Sequence, residues 1–246
     1  MKHTLVKSIG VPWPTFDSLR AADSSDVIAA WSDAVRDACD AGEPTVTSDN
    51  VSVVHLPMLT VTDSSAISAM LQGLEALRTC LPEIDVVLSL ALDLPDPASL
   101  AECLRDVFVG IAGGCVRLVD LCFSGDSGDG SGKAGRSREL VFHAMTQVQL
   151  DIEASGAVAS WSVDPGPPTM AATEWRDLMC ELNSWAMGVS LPVAAASSSI
   201  AFRDQVEVLG RHIRCVRSAT ALSVEQADLL DSVDFSGYLL VGPGCR

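Results

Sequence analysis

The feature that most constrains this chain is a rhythm. Apolar runs of strand length recur eight times, and helical segments separate them. The runs are 4–9, 51–56, 84–92, 115–123, 157–163, 188–194, 212–216 and 238–241. The most regular unit spans 115–164. Cys115 to Phe123 is nearly continuous in apolar residues, 137–155 has helical character, Gly156 stops that helix, and Ala157 to Val163 is a second apolar run. Two apolar strands joined through a helix form a parallel βαβ unit, because parallel strands need a long crossover. Repeated eight times, the pattern predicts an α/β fold of the (β/α)8 TIM-barrel type, with an open doubly wound sheet as the alternative.

The intervening segments carry helix signals. Asp23 to Asp26 offers N-caps for a helix through Cys39, with Val27, Ala30, Trp31, Val35 and Ala38 on one face. Ile67, Met70, Leu71, Leu74 and Leu77 form another apolar stripe. Pro97 suits the first turn of a helix running to Gly110, and a further helix is expected over 171–185. The length of 246 residues suits one barrel domain over 1–246. The stretch 124–137, rich in glycine and serine, reads as a flexible insertion after the fourth strand.

Composition narrows the partners. A hydrophobic content of 48% supports a large core, and a net charge of −16 disfavours nucleic acid and anionic membranes. No apolar run approaches the roughly 20 residues of a membrane span, and Met1 to Pro14 lacks a secretory pattern, so a cytoplasmic protein is expected. The eight cysteines are scattered, without a CxxC pair or zinc spacing, and read as reduced, mostly buried thiols.

Motifs that could carry chemistry are few. Gly125 to Ala134 superficially suggests a phosphate-binding loop, but Ser127 stands where glycine is needed and Ala134 where a hydroxyl is needed. His55, at a strand end, is the better acid–base candidate, because strand C-termini face the site of a barrel. His143 is mid-helix, and His212 lacks a second ligand pair. Asp93, Asp126 and Asp164 end strands, yet each is followed within two residues by Pro or Gly and is explained by a turn. On these grounds no catalytic, cofactor-binding or metal-binding residue is assigned.

The run 119–123, followed by a helix and then by 156–164, resembles the aldo-keto reductase fold. That resemblance implies a catalytic tetrad, with an acid and a tyrosine after the second strand, a lysine after the third and a histidine after the fourth. Here Tyr238 is the one tyrosine, the lysines are Lys2, Lys7 and Lys133, and Ser124-Gly125 occupies the histidine region. Further stretches resemble a non-catalytic relative, the regulatory (modifier) subunit of glutamate–cysteine ligase. They are Val11-Pro12-Trp13, 84–90, 117–124, 158–164, 189–198 and the ending Gly237-Tyr238-Leu239-Leu240. The resemblance implies a pseudoenzyme without cofactor that binds the ligase catalytic subunit and enhances glutathione biosynthesis. Gly237, Tyr238, Leu239 and Cys245 would then contribute to the interface. The alternatives are an NADPH-dependent oxidoreductase using His55 or Tyr238, and a structural subunit of a larger assembly.

Overall fold

The computed structural model describes residues 4–9, 11–14, 24–41, 52–61, 64–92, 97–123, 134–163, 170–193 and 199–242. Their strands are β1 (Thr4–Ser8), β2 (Ser52–His55), β3 (Leu59–Val61), β4 (Ile84–Leu92), β5 (Val116–Phe123), β6 (Val158–Ser162), β7 (Met187–Val193), β8 (Ile213–Ser218) and β9 (Tyr238–Val241). Every pairing is parallel, and β9 pairs with β1 while β2 pairs with β4, so the sheet closes on itself. The ring contains eight strands, each from one of the eight apolar runs; β3 stands outside that count. The expected (β/α)8 barrel is the fold.

The extra strand is a continuation of β2. His55 is registered with Val87 and Leu59 with Leu90, so four steps on one side match three on the other. One residue is therefore accommodated across 56–58, where Pro57 has no N–H for the ladder. Leu56 still donates to the Val87 carbonyl at 3.1 Å, which keeps His55 locked in the sheet just before the irregularity.

The helices are α1 (Ser24–Ala41), α2 (Ser64–Cys80), α3 (Pro97–Gly110), α4 (Ala134–Ser155), α5 (Ala172–Leu182), α6 (Ser199–Leu209) and α7 (Val224–Ser232). Their apolar stripes explain the wrapping. Along α4, Val141, Ala144, Met145, Val148 and Ile152 are fully buried at spacings of three and four, the period of one helix face. Trp161 on β6 donates its indole N–H to Met145 Sδ and stacks on Trp175 of α5 at 6.4 Å, joining three elements. The helix expected to reach residue 185 stops at Leu182, because Asn183 takes the left-handed conformation and its N–H bonds the Met179 carbonyl. At the expected insertion, Ala134 to Ser137 already belong to α4, while 124–133 lie outside the described residues.

Ring closure divides the core in two. The larger part lies between the outer face of the strands and the helices. The smaller fills the lumen with Val6, Val53, Val87, Leu118, Cys215 and Leu240, edged by Val158 and Tyr238. Beneath it, toward the strand N-termini, Arg117 bridges Asp85 at 2.8 Å, and Arg214 donates to the Trp185 carbonyl at 3.1 Å. No described helix is long and apolar enough to cross a membrane.

Gly237, at the entry to β9, shows how tightly the ring is drawn. A Cβ there would overlap the Arg214 carbonyl oxygen, a backbone atom that cannot swing aside. Gly237→Ala is therefore expected to destabilise the fold by roughly 2–4 kcal/mol, read as a lowered urea midpoint with an unchanged slope.

Candidate functional site

One inward step above the apolar lumen, toward the strand C-termini, the filling changes character. Side chains along a strand alternate between faces, so the residue two positions beyond an inward apolar one also points inward. In five strands that residue is polar: Val53 leads to His55, Val87 to Ser89, Leu118 to Asp120, Val158 to Ser160 and Cys215 to Arg217. Ser162 on β6 and Ser190 on β7 complete the set, since their neighbours Trp161, Val189 and Leu191 all belong to the outer core. Six of the eight ring strands thus contribute a buried polar side chain at the level where barrels hold their chemistry.

These groups form two bonded units. Arg217 Nε lies 3.4 Å from Asp120 Oδ2, with both side chains 2% exposed. Ser160 donates to Asp120 Oδ1 at 2.9 Å, and an Arg217 terminal nitrogen donates to the Ser162 hydroxyl. The second unit is His55, whose Nε2 lies 2.8 Å from Ser89 Oγ. Burial, with the Arg217 charge adding to it, lowers the His55 pKa to about 4. The imidazole is neutral at physiological pH and able to accept a proton.

Chemically, the layer supplies a neutral base, a cation fixed against a carboxylate, and several hydroxyls in a dry setting. Electrostatic interactions are strong there because water does not screen them. No group of three His, Cys, Asp or Glu that could hold a metal ion occurs among the described residues. A separate cleft of ≈ 230 Å³ is lined by Ser64, Ser99, Glu102, Cys103 and Asp106, with neither a histidine nor a cation among them.

Of the histidine and tyrosine candidates read from sequence, His55 alone enters this layer. His143 is exposed on α4, and His212 is on the turn 210–212, its Nε2 3.5 Å from Cys180 Sγ. Tyr238 faces the lower lumen, and burial raises its pKa, with the Arg117 charge opposing. Asp93, Asp126, Asp164, Lys2 and Lys133 lie outside the described residues.

The four residues expected at a partner interface divide in the same way. Gly237 leads into β9 and Leu239 lies within it, paired with β1 and β8 and buried. Tyr238 belongs to the same strand, and Cys245 lies outside the described residues. Asp120, Arg217 and the serines are not singled out by the sequence reading. The signal that finds them is the inward apolar residue followed two positions later by a polar one, repeated from strand to strand.

No protein-family description matches the chain. No curated protein matches it either. Solved structures do. A D-psicose 3-epimerase, crystallised in the presence of D-fructose, superposes with a TM-score of 0.60 at 10% identity, covering 99% of this chain and 85% of that one. A D-tagatose 3-epimerase-like protein gives 0.54 at 12% identity, covering 98% and 91%. A xylose isomerase domain protein from Planctomyces limnophilus gives 0.53 at 10% identity, covering 98% and 88%. At these identities the likeness is one of fold.

These neighbours overturn the resemblance to the glutamate–cysteine ligase modifier subunit and to the aldo-keto reductases. The stretches that carry it, an apolar strand ending in Asp or a glycine closing a helix, are features that unrelated parallel barrels share. The NADPH-dependent reductase alternative has no support either. The ligase catalytic subunit as partner rests on that resemblance and has no other footing. The pseudoenzyme reading is corrected too. It rests on a missing tyrosine, lysine and histidine set, and lacking one set of groups says nothing about the different set in this lumen.

Two outcomes follow from the geometry. In the unfolded chain His55 titrates near 6.5, while in the folded protein it does so near 4. The unfolded state therefore binds the extra proton first, and stability falls as pH drops from 6.5 toward 4, by about 3 kcal/mol for this group. Urea unfolding across that range is expected to show the loss in the wild type and a smaller one in His55→Gln. Separately, Arg217→Met leaves Asp120 buried without its cation and is expected to cost about 3–5 kcal/mol, whereas Asp120→Leu combined with Arg217→Met recovers much of that loss in a double-mutant cycle.

Proposed function

We propose that this chain is an enzyme that moves a proton on a small polyhydroxylated carbonyl compound, in the manner of an isomerase, epimerase or dehydratase, at the C-terminal mouth of the barrel. The observation that carries the reading is the buried polar layer itself. A barrel selected only for stability fills this level with branched apolar side chains, since each buried polar group must find a partner to offset its lost hydration. Placing His55, Asp120, Arg217 and four serines there, on six strands, is unfavourable unless the layer serves a ligand.

The roles follow from charge. His55, neutral at working pH, takes the proton from the carbon beside the carbonyl. Arg217, held by Asp120, faces the oxygen on which negative charge collects. Hydrogen bonds and charge aimed at that oxygen stabilise the transition state more than the ground state. The growing anion also favours the protonated form of the imidazole, so a ring that is a weak base when the site is empty becomes a stronger one as the reaction proceeds. The imidazolium exchanges its proton with solvent and then protonates the former carbonyl carbon, while the adjacent hydroxyl proton passes to the former carbonyl oxygen. Protonation of the original carbon by water from the opposite face gives the epimer instead. The descriptions of the structural neighbours, two of them 3-epimerases or 3-epimerase-like proteins named for ketose sugars, support this substrate class. A cytoplasmic location is supported by the thiols of Cys80, Cys103, Cys115 and Cys180, which stand outside any disulfide.

Incubation with D-fructose, D-tagatose or D-xylose in deuterium oxide tests the proposal. Proton NMR is expected to show solvent deuterium entering the carbon next to the carbonyl in at least one of them. His55→Gln should slow that exchange by roughly 10²–10⁴-fold, the usual contribution of a positioned acid–base group. Exchange no faster with the protein than in buffer, for all three sugars, overturns the reading.

A further inference from the structure

Three of the hydroxyls in the polar layer are engaged. Ser89 is bonded to His55 at 2.8 Å, Ser160 to Asp120 at 2.9 Å, and Ser162 receives a bond from Arg217. Ser190 differs. Its side chain is fully buried, and its Oγ has no hydrogen-bond partner among the described residues. The flanking Val189 and Leu191 pack into the outer core, so Ser190 points into the lumen. On one side it is in register with Ser162, on the other with Cys215, and the next inward position, Pro192, is in register with Arg217.

A sealed hydroxyl without a partner is disfavoured, and native structures keep one where water or a ligand completes it. We propose that Ser190 is the recognition point for a substrate hydroxyl, beside the carbonyl oxygen held at Arg217 and Ser162. This rests on the proposed function and deepens it. Adjacent strands lie about 4.8 Å apart, so side chains in register on β6 and β7 reach two oxygens carried by neighbouring carbons. The ligand is thereby an α-hydroxycarbonyl compound. The in-register neighbours of Ser190 are a hydroxyl and a thiol, which suits an uncharged hydroxyl at that point rather than an anion.

Calorimetric titration of the wild type and Ser190→Ala with D-fructose, 1-deoxy-D-fructose and 3-deoxy-D-fructose tests this. Those analogues lack one or the other hydroxyl flanking the carbonyl. One of them is expected to bind the wild type roughly tenfold more weakly than D-fructose, and Ser190→Ala should bind that analogue and D-fructose alike. The free Ser190→Ala protein should melt no lower than the wild type, because it loses only an unpaired hydroxyl. If both analogues bind the wild type as D-fructose does, or if the preference survives Ser190→Ala, the serine holds a structural water only and the inference is overturned. Absence of binding by all three sugars, together with absence of deuterium exchange, removes the proposed function itself.

Discussion

Closing eight parallel strands into a ring creates a space that must be filled from within, and everything else in this molecule answers to that demand. Each strand commits alternate residues to the lumen, and no helix can reach in to help. The lower level is met with Val6, Val53, Val87, Leu118, Cys215 and Leu240, side chains that need no partner. The upper level is met with groups that do. Their satisfaction depends on one another: Asp120 accepts from Ser160 and faces Arg217, which in turn donates to Ser162. Remove the arginine and a carboxylate is stranded in a region where an uncompensated charge is severely penalised.

That mutual dependence explains why the pair is informative. A buried ion pair is weak evidence of stability, since well-packed apolar residues of similar volume commonly serve as well or better. Its presence at the mouth end of a barrel, beside a histidine whose proton affinity is lowered by burial and further by the Arg217 charge, is what the proposed function accounts for. The floor offers the contrast. Arg117 and Asp85 also pair, but Arg117 is half-exposed to solvent at the strand N-termini, where such a bridge is compatible with a solvated rim and asks for no further explanation.

Much of the architecture is legible because it is written in two periods. Helix stripes such as Ile67, Met70, Leu74 and Leu77 repeat every three or four residues, and the strands are mostly apolar runs because both faces are covered. The same double coverage hides the site. In a sheet with one wet face, Asp120 or Ser160 would be read as the outward half of an alternation. Here they interrupt a run that is apolar on both sides, and a single polar residue inside it looks like noise. His55 stands out only because it ends its strand. Val54 and Leu56, one position to either side of it, pack outward beneath the helices, and nothing local distinguishes their direction from that of His55.

The same reasoning accounts for a resemblance that failed. Ten per cent identity suffices to preserve this fold across enzymes of different description, because a parallel barrel asks each position only for a class of side chain. Short stretches judged by that class, such as Val119 to Phe123, therefore match many barrels equally well. What separates barrels is the set of inward residues near the strand C-termini, a handful of positions contributed by strands far apart in the chain. Here those positions are taken by one histidine, one ion pair and four serines, a combination that the reductase tetrad neither predicts nor excludes. Lineage read from strand motifs and chemistry read from the lumen are thus independent observations, and for this chain the second carries the weight.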